Sequence, residues 1–157
     1  MASPETINLV TRLMATLNKD AATVMKNYPV HACTDITGFG LLGHLAEMVI
    51  DSNSGIQLMA DQVPIMPEAL EYARMGLFPV GAYKNREFRE SMVRFSPAVD
   101  LLVQDILFDP QTSGGLLMAV GREKADELIE ELKAKGIDQA AVIGEVAAEP
   151  AATILVF

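Results

Sequence analysis

The sequence has one cysteine, no tryptophan and few basic residues. The cysteine count and the charge balance each exclude particular structures or binding partners. Cys33 is the single cysteine, so an internal disulfide is excluded, and we predict a cytoplasmic location. Twelve basic against 21 acidic residues give a net charge of −9, which repels nucleic-acid phosphates and anionic membrane surfaces. No apolar run approaches the ~20 residues that span a bilayer. We therefore expect neither a nucleic-acid nor a membrane partner.

The composition that is present favours one globular domain. The chain has 157 residues, of which 50% are hydrophobic, enough for a sizeable core. Periodic apolar patterns of both helical and strand type occur along it. We predict an α/β (α+β) fold in which a mixed β-sheet is layered with helices.

Individual elements follow from capping residues and apolar spacing. Ser3 and Pro4 predict the start of a helix with one buried face that runs until Tyr28-Pro29. The Pro and Gly content of 77–85 indicates a loop, and the last two strands are expected to form a hairpin around Pro150. Other helices are expected at 38–52, 67–76, 86–92, 97–108 and 122–136, and other strands at 30–36, 56–60, 93–96 and 116–120.

The stretch TDITGFGLLGH, residues 34–44, contains the spacing G-x-G-x-x-G between a predicted strand and helix. Three interpretations are open: a dinucleotide site, another anion-binding turn, or a tightly packed structural joint. Asp61 lies 18 residues past Gly43, near where a ribose-binding acid would stand. The helix that precedes this unit, and the absence of a continuing βαβ pattern after it, argue against the dinucleotide site.

Asp35 stands just before these glycines. A carboxylate there repels a bound phosphate unless a cation joins them, and Mg²⁺ commonly takes one or two carboxylates together with phosphate oxygens and water. Mg²⁺ together with a nucleotide phosphate would resolve this repulsion. The alternative is that Asp35 only caps the turn or the next helix, and the pattern alone leaves both open.

A second polar loop, DPQTSGG at 109–115, encloses Gln111, Thr112 and Ser113. Such a loop either binds a ligand or is a turn with no further role. His31 and Cys33 share a strand face, but nothing in the sequence completes a metal site with them. We expect Cys33 to be a buried, inert thiol and His44 to be structural or on the surface.

Two long motifs, ACTDITGFGLLGHLAEM (32–48) and LFDPQTSGGLLMAV (107–120), together resemble the C-terminal domain of selenophosphate synthetases (selenide, water dikinases). This family belongs to the aminoimidazole ribonucleotide synthetase-like superfamily. MATLNKDAATVM (14–25) and GLFPVGAYKN (76–85) are also similar to it. The resemblance extends over essentially the whole chain, in the right order.

The resemblance implies an enzyme that converts selenide, ATP and water to selenophosphate, AMP and phosphate, for selenocysteine and selenouridine synthesis. ATP and Mg²⁺ would be held largely by an N-terminal domain. The family's T-D-[IV]-T-G-F-G motif, here residues 34–40, supplies one acidic Mg²⁺ ligand, so Asp35 inherits that role. Thr37, Gly38, Gln111, Thr112 and Ser113 are implied members of the active-site wall.

The sequence departs from the family in one respect. The family's catalytic cysteine or selenocysteine, its partner lysine and its other metal-binding aspartates belong to an N-terminal domain that is absent here, and Cys33 does not match the catalytic position. We expect residues 1–157 to be a single C-terminal domain of an enzyme that is a homodimer. Alone, this domain is expected to be inactive, and to be either a monomer or an adventitious oligomer. Two alternatives are another ATP-dependent enzyme of the superfamily and a non-catalytic binding module.

Overall fold

The computed structural model describes residues 2–157. The helices in this range are α1 Pro4–Ala15, α2 Lys19–Met25, α3 Gly40–Val49, α4 Pro67–Arg74, α5 Val80–Arg89, α6 Leu101–Ile106 and α7 Arg122–Ala134. The strands are β1 Val30–Asp35, β2 Gly55–Leu58, β3 Val93–Phe95, β4 Leu116–Val120, β5 Gly144–Ala147 and β6 Ile154–Val156. Short 3-10 turns cover Ala60–Gln62 and Glu90–Met92.

The strands form two separate sheets. β1 pairs antiparallel with β4 in a two-stranded sheet, and the other four strands form a sheet in the order β3-β6-β2-β5. In the larger sheet, β2 runs antiparallel to β5 but parallel to β6, and β3 runs parallel to β6. The mixed sheet and its surrounding helices confirm the predicted α+β class.

Each sheet has its own apolar cluster. The larger cluster joins α3, the four-stranded sheet and the end of α6; its fully buried members include Leu42, Leu58, Phe108 and Ile154. The smaller cluster joins α2 to α7 through Ala21, Val24, Leu128 and Leu132, and side chains of β4 pack against it. β4 therefore connects the motif at 107–120 to both halves of the core, because Leu117 packs on the larger cluster.

The long N-terminal helix predicted from the sequence is wrong in two ways. The helix breaks at residues 16–18, where Thr16 is extended and Asn18 starts α2. α1 has no buried residue, and several apolar side chains predicted to face the core are exposed, among them Ile7, Leu13, Met14 and Leu17. Further along the predicted face, Ala21 and Val24 of α2 are buried as predicted. Ser3 does cap α1, since its hydroxyl oxygen accepts a hydrogen bond from the Thr6 N–H at 3.2 Å.

The predicted loop at 77–85 is largely helix, because α5 begins at Val80. Pro79 occupies the cap position just before the helix, where its fixed φ is tolerated and its missing N–H costs nothing. Gly81 lies inside α5, and a Cβ there would come within 3.0 Å of the Pro110 ring. Pro79 thus precedes the start of a helix, and Gly81 allows α5 to approach Pro110 closely. Neither residue marks a loop here.

The predicted closing hairpin around Pro150 does not exist, because β2 lies between β5 and β6. The connecting segment crosses the start of β2: Ile56 N–H donates to the Thr153 carbonyl at 2.9 Å. A Cβ on Gly55 would overlap the Pro150 carbonyl oxygen, so this crossing requires glycine. Within residues 2–157, no helix is both long and apolar enough to cross a membrane.

Candidate functional site

Asp35 ends β1 on the exposed side of the strand. Burial alternates along β1, and His31, Cys33 and Asp35 are the exposed positions. Among residues 2–157 the Asp35 carboxylate has no hydrogen-bond or salt-bridge partner, while its backbone pairs with Leu116 of β4. The capping alternative therefore has no support, and the carboxylate is free to bind a ligand.

The turn that follows Asp35 is joined to the second polar loop by backbone hydrogen bonds. Gly114 N–H donates to the Ile36 carbonyl at 2.9 Å, and Ile36 N–H donates to the Gly115 carbonyl at 3.0 Å. Gln111 N–H donates to the Thr37 carbonyl at 3.0 Å. The two motifs that are far apart in sequence thus form one continuous surface.

Two asparagine amides fasten this surface from outside the motifs. Asn85 Nδ2 of α5 donates to the Gly38 carbonyl at 2.9 Å and to the Phe108 carbonyl at 3.0 Å. Asn18 Nδ2, at the start of α2, donates to the Gly114 carbonyl at 3.0 Å. All four segments that carry the resemblance therefore meet at one place. Neither asparagine was predicted as a site residue. A side-chain amide that donates to a carbonyl far away in the sequence produces no local sequence pattern.

The three glycines of the G-x-G-x-x-G spacing have different roles. Gly40 has φ +70°, and a Cβ there would lie 2.7 Å from the Phe108 carbonyl carbon. A Cβ on Gly43 would lie 2.6 Å from Cβ of Phe39. Gly38, which is exposed, has no atom within 4 Å of where its Cβ would stand. Packing explains the last two glycines of the spacing and leaves Gly38 beside open space.

A dinucleotide-binding βαβ unit is excluded by the topology. Such a unit needs the strands before and after the helix to lie parallel in one sheet. Here β1 and β2 flank α3 in sequence but belong to different sheets. Asp61 accordingly lies in a 3-10 turn after the other sheet.

The second loop holds its own side chains. Gln111 Nε2 donates to the carbonyl and to Oδ2 of Asp109, at 3.1 and 3.0 Å. Burial raises the pKa of the Asp109 carboxyl, and the hydrogen bond from Gln111 acts in the opposite direction. Thr112 and Ser113 are exposed. Among residues 2–157 the Thr112 and Ser113 hydroxyls have no hydrogen-bond partner, whereas Gln111 Nε2 is bonded to Asp109 within the same loop.

Cys33 is exposed, so the prediction of a buried thiol was wrong. The error has a physical cause: β1 pairs with one strand only, and its odd positions face outward. Partial desolvation and the nearby Asp35 charge both raise the pKa of the Cys33 thiol. Both effects disfavour the thiolate, which is the reactive form of cysteine.

The chemistry of the Asp35 carboxylate is compatible with Mg²⁺ as one of several ligands. Within residues 2–157, no three side chains of His, Cys, Asp and Glu lie close enough together to hold a metal ion. Mg²⁺ needs few protein ligands, since phosphate oxygens and water complete its coordination. A single unpaired carboxylate at the edge of a polar surface meets that requirement.

His44 was expected to be structural or on the surface, and the structure places it in the interior. It lies in α3 at 6% exposure. Its Nε2 accepts a hydrogen bond from the Thr37 N–H at 3.1 Å. The imidazole therefore belongs to the support of the turn that follows Asp35.

Comparison with known proteins agrees with this arrangement. Residues 5–156 match the family model described as AIR synthase related protein, C-terminal domain. The chain is 56% identical over 156 residues to a selenide, water dikinase of Pelobacter propionicus, covering 99% of this chain and 45% of that protein. It is 45% identical over 137 residues to a protein of that name from Clostridioides difficile, covering 87% of this chain and 39% of that protein.

A selenide, water dikinase of Caldanaerobacter subterraneus subsp. tengcongensis is 44% identical over 146 residues, which is 93% of this chain and 42% of that protein. The chain thus spans less than half the length of these relatives. The comparisons confirm the resemblance that the two long motifs indicated. The chain belongs to the AIR synthase related protein family, and residues 5–156 match the model of its C-terminal domain.

Proposed function

We propose that this chain is the C-terminal domain of a selenide, water dikinase, which makes selenophosphate, AMP and phosphate from selenide, ATP and water. Support comes from the relatives of that name, which match nearly the whole chain at up to 56% identity. The observation that carries the site is the exposed, unpaired Asp35 carboxylate at the edge of a surface on which all four motif segments converge.

In this proposal Asp35 contributes one oxygen ligand to Mg²⁺, which in turn neutralises the phosphates of ATP. Thr37, Gly38, Thr112 and Ser113 border the nucleotide, with the open space beside Gly38 admitting it. Gln111 shapes its loop through Asp109. The remaining ligands and the catalytic groups belong to an N-terminal domain, so residues 1–157 alone do not turn over substrate.

Three further expectations accompany the proposal and stay predictions. They are a cytoplasmic location, a homodimer of the intact enzyme with a monomeric isolated domain, and the lack of a nucleic-acid partner. The net charge of −9 supports the last of these.

The test is Asp35→Asn in the intact protein, with selenide-dependent AMP formation measured across a range of Mg²⁺ concentrations. Loss of a charged metal ligand removes several kcal/mol of transition-state stabilisation, so we expect the rate to fall roughly 100-fold or more. Asp138→Asn, an exposed aspartate in the turn after α7, is the matched control and should keep the parent rate. An Asp35→Asn rate equal to that of the control would remove Asp35 from the site.

The family description also admits a second function, that of an ATP-dependent ring-closing synthetase. ATP consumption by the intact protein with selenide or with formylglycinamidine ribonucleotide separates the two. No ATP consumption with either compound would favour a non-catalytic binding module.

A further inference from the structure

His44 is a buried polar side chain next to the proposed site but not exposed to it. The residue is 6% exposed, and its ring lies 5.5 Å from the Phe39 ring at an interplanar angle of 52°. A buried imidazole costs free energy unless its nitrogens are matched by suitable groups. What surrounds each nitrogen therefore indicates why the residue is a histidine.

The Nε2 atom is matched by Thr37. The Thr37 N–H donates to it at 3.1 Å, and the Thr37 hydroxyl lies 3.2 Å from the same nitrogen. Since a nitrogen that accepts an N–H bond carries no proton of its own, the proton of the neutral ring lies on Nδ1.

The Nδ1 atom faces a charged pair. It lies 3.2 Å from Oε2 of Glu47, within contact distance but without the alignment of a hydrogen bond. The other Glu47 oxygen lies 3.8 Å from Nη2 of Arg89. The carboxylate attracts a protonated Nδ1 and Arg89 balances its charge, so this surrounding favours the tautomer that leaves Nε2 free to accept.

The hydrogen bond from Thr37 to His44 adds to the backbone hydrogen bonds that hold the turn. The Ile36 carbonyl accepts from Gly114 N–H, and the Thr37 carbonyl accepts from the N–H groups of Gly40 and Gln111. Of the polar backbone atoms of Ile36 and Thr37, only the Thr37 N–H relies on a side chain. Among the described residues, His44 is thus the one side chain that holds the Ile36–Thr37 peptide unit, which is the second peptide after Asp35.

We propose that His44 is a positioning residue: its Nε2 holds the Thr37 N–H, and through this bond it sets the turn that aims Asp35 at the metal. This inference rests on the proposed function of Asp35. His44 itself touches neither metal nor nucleotide in this proposal, and acts only through Thr37.

The first test uses hydrogen exchange of the Thr37 amide in the 157-residue chain, followed by NMR. His44→Leu removes the acceptor, so Thr37 exchange should accelerate about ten-fold, as expected for loss of one hydrogen bond. His44→Gln carries an amide oxygen near the position of Nε2 and should recover most of the protection. If His44→Leu does not fold, His44→Asn replaces it, because the shorter amide does not reach Thr37.

The second test measures the Mg²⁺ concentration for half-maximal activity in the intact protein. His44→Leu should raise it roughly ten-fold, in step with the lost hydrogen bond, and His44→Gln should return it toward the parent value. Unchanged Thr37 exchange in His44→Leu, or an unchanged Mg²⁺ requirement despite faster exchange, would overturn the inference. An intact protein without selenide-dependent turnover would instead refute the proposed function, and Thr37 exchange would still decide whether His44 holds the turn.

Discussion

At the scale of single residues, the residues around Asp35 fall into two groups. One group is required by the packing of the turn, and the other makes no contact that requires its residue type. Gly40 and Gly43 are required by backbone conformation and close packing, whereas Gly38 has open space beside it. Asp35 is likewise unpaired among the described residues. A residue type that the packing does not require is a candidate for ligand contact. Gly38 is therefore such a candidate, whereas Gly40 and Gly43 are not.

This division predicts opposite outcomes for two glycine substitutions. Gly40→Ala forces a side chain into a backbone at φ +70° and against Phe108, so we expect a loss of at least about 1–3 kcal/mol in the free energy of unfolding. Gly38→Ala should change it by less than ~0.5 kcal/mol, because no atom stands within 4 Å. Urea unfolding of both variants measures this. Equal losses would mean that Gly38 is also structural.

The site was only partly predictable at this scale. The position of Asp35 at a strand end, and the meeting of the two motifs, could be anticipated from the pattern and the resemblance. The roles of Asn18, Asn85 and His44 could not, because each depends on a backbone group that only the folded chain brings near. The burial of Cys33 was predicted wrongly, because an apolar run does not show that its strand pairs with only one other strand.

At the scale of elements, most helices and strands follow from local signals, and two of the errors share one cause. Pro79 and Gly81 resemble loop residues until α5 is seen to pack against Pro110. β5 and β6 resemble a hairpin until β2 is found between them. In both places a partner distant in sequence decides the outcome, and apolar periodicity carries no information about that partner.

α1 is the element with the clearest testable consequence. It is amphipathic but contributes no buried residue to either cluster. Deleting residues 2–16 should therefore lower the melting temperature of the chain by less than about 3 °C. Leu132→Ala is the comparison: Leu132 is 6% exposed within the smaller cluster, and truncation of such a residue costs roughly 2–5 kcal/mol, or about 10 °C here.

Circular dichroism during heating measures both variants. A deletion that lowers the melting temperature as much as Leu132→Ala would show that the α1 side chains stabilise the domain. In that case the apolar side chains of α1 would be buried in solution.

At the scale of the whole molecule, the fold brings four separated segments to one edge and presents a single unpaired carboxylate there. Both sheets contribute to this edge, since β1 and β4 carry the two motifs and the larger sheet supports α3, which carries His44. A surface with one ligand suits a metal and nucleotide shared with another domain. The chain spans less than half the length of its relatives.

The most direct test of this account is to locate the metal in the intact protein. Mn²⁺ accepts the same oxygen ligands as Mg²⁺ and broadens NMR signals of nearby nuclei. With Mn²⁺ and a non-hydrolysable ATP analogue, we predict that the amide signals of Asp35, Thr37 and Gly38 broaden more strongly than those of α7, and that Asp35→Asn reduces the broadening. Sharp signals at Asp35 together with broadening elsewhere on this domain would contradict the central claim.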